Sequence, residues 1–111
     1  MRYIRTKDGR IITLKDELID NADLWIVGGK ENILKIANNI EDLIQEGDLV
    51  KYEDRTTSYP YQTTFAEITK FFKPYHTAIY RIIELYIKQP NGDYKLFARD
   101  KGKYNYKLEL V

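Results

Sequence analysis

The chain has 111 residues, 43% of them hydrophobic and 32% charged, with a formal net charge of +1 at pH 7. That size fits a single domain spanning residues 1–111, and the balance argues against disorder, a coiled coil or a strongly basic nucleic-acid-coating protein. Cysteine is absent, which removes disulfide frameworks, thiolate nucleophiles and sulfur-ligated metal sites from consideration.

No apolar run approaches the ~20 residues that span a bilayer, and residues 1–5 lack a signal peptide's apolar stretch, so a cytoplasmic location without membrane contact is expected. Tyr occurs ten times, against four Phe and one Trp; its ring packs on a strand while its hydroxyl stays wet, and it also anchors interfaces. The charges are unevenly spread. Residues 1–54 hold eight Lys and Arg against twelve Asp and Glu, net −4, and residues 55–111 hold ten against five, net +5. The two halves therefore either neutralise each other or offer one charged face to a partner.

Residues 2–6 and 10–14 are β-capable runs flanking Lys7-Asp8-Gly9, and Asp-Gly supplies the positive φ of a tight hairpin. The run Asp23-Leu24-Trp25-Ile26-Val27, stopped by Gly28-Gly29, fits a buried strand or a loop anchor. Between Lys30 and Gly47, Ile33, Ile36, Ala37, Ile40, Leu43 and Ile44 recur at helical spacing. Two helix starts are open: one near Lys30, and a shorter one near Asn39, with Asn38 as cap, Glu41 at the third helical position and residues 33–36 as a strand; the cap favours the shorter. Residues 49–52 read as a strand. Residues 55–63 have no apolar period and carry Tyr59-Pro60-Tyr61, so they read as a loop. Thr64-Phe65-Ala66-Glu67 has the form of a capping box and predicts a short helix to about Phe72, blocked by Pro74. Residues 80–88, 94–99 and 104–111 are strand-like and separated by turn residues, which predicts a three-stranded antiparallel meander. The resulting fold class is α+β: an antiparallel sheet of about five or six strands with two short helices.

Little in the chain points to catalysis. His76 is the one imidazole, on the connection after Pro74-Tyr75, and reads as a structural or surface histidine. A single histidine without cysteine is a poor start for zinc. The acids Glu41, Asp42, Glu46, Asp48, Glu53 and Asp54 sit where carboxylates are ordinarily solvated. Gly28-Gly29-Lys30 lacks the upstream glycine and following Ser or Thr of a phosphate-binding loop and reads as a turn. No enzyme activity and no cofactor are expected. Two binding surfaces are. In the first, Pro60 stiffens a loop carrying two aromatic anchors, Tyr59 and Tyr61, for a protein partner. In the alternative, Lys95, Phe97 and Arg99 share one strand face, joined by Lys101, Lys103 and Lys107, to hold phosphates and stack a base. Lysines on such a face also serve simply to solubilise it and guard an edge strand. A macromolecular partner, protein ahead of nucleic acid, is expected, and a homodimer across the edge strand ending at Val111 is compatible with the pattern.

Three stretches carry a resemblance: Tyr3-Ile4-Arg5-Thr6-Lys7-Asp8-Gly9-Arg10-Ile11, Ala37-Asn38-Asn39-Ile40-Glu41-Asp42-Leu43-Ile44 and Tyr86-Ile87-Lys88-Gln89-Pro90-Asn91-Gly92-Asp93-Tyr94. As a set, covering about half of the chain, they resemble the small uncharacterised accessory proteins of phages and prophages of Gram-positive bacteria. The resemblance implies a mobile-element origin, no catalytic residues, and an accessory role of binding a host or phage macromolecule, including components of host defence.

Overall fold

A computed structural model describes residues 2–14, 28–56, 58–70, 79–102 and 107–111. Its eight strands are β1 (Arg2–Thr6), β2 (Ile11–Leu14), β3 (Ile33–Ala37), β4 (Leu49–Asp54), β5 (Gln62–Glu67), β6 (Tyr80–Lys88), β7 (Tyr94–Asp100) and β8 (Leu108–Leu110). They form two antiparallel sheets, ordered β2-β1-β3 and β5-β4-β6-β7-β8, and the chain divides into two compact units, Met1–Leu43 and Ile44–Val111.

The α+β expectation is corrected by this arrangement. The described residues hold no α-helix, only two 3-10 turns at Lys30–Asn32 and Ile40–Leu43, and two sheets replace the single one anticipated. The apolar series from Ile33 divides: Ile33–Ala37 pairs with β1, and only Ile40–Leu43 coils. A single 3-10 turn suffices there because residues i and i+3 eclipse one another, so Ile40 and Leu43 both reach the interior, each 1% exposed. The capping-box segment Thr64–Glu67 is likewise a strand. Each of its residues lies opposite one of β4, and the β-branched Thr63 and Thr64 with Phe65 suit a pleated surface better than a helix turn.

In the first unit, β1 is central and buried through Ile4, Arg5 and Thr6. Arg5 is a charged residue inside; its Nη1 donates to the Leu43 carbonyl at 2.8 Å, which fastens the 3-10 turn to β1. The β1–β2 turn is closed by side chains as well as backbone. Thr6 N donates to the Arg10 carbonyl at 3.0 Å, Arg10 N donates to Thr6 Oγ1 at 2.9 Å, and Thr6 Oγ1 donates to the Asp8 carboxylate. Arg10 also grips Asp8 through Nε, 3.1 Å from both oxygens. Gly9 takes φ 86°, which an L side chain rarely adopts.

In the second unit the registers define two faces. Ala66, Val50, Leu85, Ala98 and Leu110 lie opposite one another in a row across all five strands. Val50, Leu85 and Ala98 are 0% exposed, so this is the core face, completed by Ile68, Ile82, Ile87 and Leu108. The neighbouring row, on the other face, reads Phe65, Lys51, Glu84, Arg99, Glu109.

Leu85→Ala, which empties the middle of the core row, is expected to lower stability by about 2–5 kcal/mol in urea denaturation. The bonds from Arg10 first and Thr6 second hold the Asp8 carboxyl below its ordinary 3.8, at about 2. A lowered carboxylate pKa stabilises the fold above its unfolded value, and that stabilisation is lost as pH falls through the folded value. The hairpin contribution therefore disappears between pH 3.8 and about 2, and Asp8→Asn should flatten that part of the pH–stability curve.

Candidate functional site

The connection between β4 and β5 is built from its base upward. Asp54 Oδ1 accepts from Thr56 N at 2.9 Å and from Thr56 Oγ1 at 2.6 Å, and these bonds hold its carboxyl below the usual range. Arg55 N donates to the Ile79 carbonyl at 2.7 Å, and Arg55 Nε donates to Glu53 at 3.0 Å. With its stem fixed at both ends, the Arg55 guanidinium lies 5.7 Å from the centre of the Tyr61 ring. Tyr59 meets Tyr61 edge to face, with ring centres 5.6 Å apart at 89°, and the Tyr59–Pro60 peptide is cis. Tyr59 is 83% exposed, the most exposed of the large hydrophobic residues among those described, and Pro60 is exposed beside it. The three residues anticipated as a protein-binding loop thus form one aromatic projection: Tyr61 braced from below, Tyr59 presented to solvent.

The alternative basic surface is divided by an irregularity. Arg99 lies opposite Glu84 and Ala98 opposite Leu85, but the next pairs are Leu96 with Tyr86 and Lys95 with Ile87, leaving Phe97 as an extra residue. One inserted residue reverses the side-chain alternation. Lys95 therefore falls opposite Ile87, which shares the buried phase of Leu85, while Arg99 lies opposite Glu84. The bulge thus separates Arg99 from Lys95 in register, while the exposed Lys95 keeps its Nζ 5.2 Å from the ring centre of the half-buried Phe97.

The cations on the outer face are accompanied by acids. Arg99 Nη2 is 3.1 Å from Glu84 Oε2, and Glu109 lies across from Arg99 on β8. Lys101 Nζ donates to the Leu110 carbonyl at 3.2 Å. Lys107 is exposed; Lys103, like His76 and Trp25, lies outside the described residues. Along the row the order is Lys51, Glu84, Arg99, Glu109, an alternation of sign rather than a cationic stripe. Tyr86 completes it: its hydroxyl donates to Glu84 at 3.1 Å, and burial first, then Glu84, raise its phenol above 10.0.

Sequence reasoning missed Phe65. Read as part of a capping box, it is instead 53% exposed on edge strand β5, 5.6 Å from Lys51 Nζ and 5.9 Å from the Tyr86 ring centre. The legible signal was the Thr-Thr-Phe run, which is β-prone. Among the described residues, no three His, Asp or Glu gather in a way that would hold a metal ion, and no helix is long and apolar enough to cross a membrane. No family model, curated protein or solved structure matches this chain.

Replacing Glu84 with Gln removes the negative charge beside Tyr86 while keeping an amide oxygen that can accept from its hydroxyl. The Tyr86 phenol should then titrate closer to 10.0, followed by NMR of the assigned ring, because Glu84 no longer opposes the phenolate.

Proposed function

We propose that this chain is a non-catalytic accessory protein of the phage or prophage type. It binds a host or phage protein, a component of host defence being the leading class, through Tyr59, Pro60 and Tyr61. The observation that carries the reading is the exposure of Tyr59, 83%, on a loop whose other aromatic is already held by Arg55. A large apolar ring left in water beside a second ring is the composition of an interface anchor, and a loop held in place beforehand loses less entropy when it docks. A partner pocket that takes Tyr59 gains its apolar area while the Tyr61–Arg55 stack stays as it is. The nucleic-acid alternative has less support, since Arg99 is already matched by Glu84 and a bulge separates it in register from Lys95.

The test is an affinity pull-down of tagged protein from a Gram-positive host lysate, with and without nuclease, alongside a Tyr59→Ala/Tyr61→Ala variant. A captured protein that survives nuclease and binds the double variant at least tenfold more weakly, about 1.4 kcal/mol or more, is the expected outcome, with unchanged circular dichroism. Undiminished capture by the double variant removes the loop from the reading. Capture abolished by nuclease shifts the weight to Arg99, Lys101 and Lys107.

A further inference from the structure

The five-stranded sheet ends in two edge strands, β5 and β8, and they differ in what they offer another strand. An edge presents backbone N–H and C=O groups on alternate residues, and proteins guard such edges with charge, proline or shortness. β8 is guarded. It has three residues, the register that pairs all three with a second copy sets Glu109 against Glu109, and the Leu110 carbonyl already accepts from Lys101. β5 has six residues and no charge before Glu67, and its first four residues are exposed.

From this we propose that β5 is the surface through which two copies of the chain associate, antiparallel, with a two-fold axis at Phe65. An antiparallel pair places partners on the same face, so the register centred on Phe65 sets Phe65 against its copy, Thr64 against Ala66 and Thr63 against Glu67. No like charges meet. The same register explains the exposed ring. Phe65 stands on the outer face next to Lys51, and in the pair the order across the junction becomes Lys51, Phe65, Phe65, Lys51. Two rings meet at the centre, and each keeps its own cation on the far side. A foreign strand would need an aromatic residue in register and no acid facing Glu67; a second copy supplies both.

The proposal goes beyond the loop reading and does not depend on it. It places Tyr61 of the two copies about 27 Å apart along the strands, at ~3.4 Å per residue, so a dimer presents two aromatic projections and binds a repeated or dimeric partner with added avidity.

Sedimentation equilibrium of the full chain over a concentration series tests it, with Phe65→Glu, Phe65→Lys and their equimolar mixture. The wild type is expected to reach twice the chain mass, each variant alone to stay at one chain mass, and the mixture, with Glu opposite Lys, to recover the dimer. Because the chain lacks cysteine, Phe65→Cys gives a second readout. Opposed Cα atoms in an antiparallel pair lie within disulfide range, so mild oxidation should link Phe65→Cys rapidly and Glu67→Cys, displaced from its own copy, slowly. A wild type that remains a single chain, a Phe65→Lys variant that dimerises undiminished, a mixture that stays monomeric, or equal cross-linking at both positions overturns the proposal. Tyr59→Ala/Tyr61→Ala should leave the dimer intact, which separates failure here from failure of the loop reading.

Discussion

The pairing of β4 with β6 governs what the five-stranded sheet buries and what it displays. Val50 lies opposite Leu85 at the middle of the sheet, both 0% exposed, and strands on either side inherit their phase from that pair: Ala66 outward through β5, Ala98 and then Leu110 through β7 and β8. Because side chains alternate with a period of two, burying this row commits the adjacent row to the other face. Phe65, Lys51, Glu84, Arg99 and Glu109 are therefore displayed together as a consequence of core burial. The alternation of charge in that row is what keeps the displayed face from acting as a cationic surface.

Two β-bulges modify this scheme. One lies between β6 and β7, the other opposite Lys51 and Tyr52 in the β4–β6 pair, where Ile83 is the extra residue. A bulge adds twist and re-aims the residues beyond it. Beyond the second, Tyr52 and Tyr80 meet edge to face with ring centres 5.5 Å apart. Arg81 reaches Asp100 at 2.6 Å, a pair in which the carboxylate is 3% exposed. That ion pair is well shielded and geometrically close, conditions in which the loss of one partner would strand the other's charge. It ties β6 to β7 near the same end of the sheet that carries the Arg55–Tyr61 stack.

The first unit solves a different problem with the same physics. Its three strands and two 3-10 turns bury, among the described residues, the apolar side chains of Ile4, Ile11, Ile40 and Leu43. Arg5, 4% exposed, lies among them with its guanidinium bonded to the Leu43 carbonyl. A carbonyl at the end of a short turn has no partner within the turn, and a buried guanidinium needs acceptors; the bond from Arg5 Nη1 to the Leu43 carbonyl meets the first need and part of the second. The Thr6–Asp8–Arg10 cluster plays the matching part at the hairpin end, where polar bonds rather than apolar contact hold the turn.

What the sequence determined by itself was local. Asp8-Gly9 marks the first hairpin, Asn91-Gly92 and the alternation after it mark β6, β7 and the end of the chain, and Tyr59-Pro60-Tyr61 marks a loop, because turn residues act through their own φ and ψ and aromatics through their own surface. Tertiary structure decided the rest. Ile33 to Ile44 satisfies a helical period and a strand-plus-turn equally well, and the open edge of β1 took Ile33–Ala37 as a strand. Thr64–Glu67 satisfies a capping box and a strand, and β4 settled the choice by pairing with every residue. The separation of Lys95 from Arg99 depends on one unpaired residue, Phe97, whose position follows from where β6 and β7 lose register. No short-range pattern encodes that, because a bulge is a mismatch between two strands and exists only once both are in place.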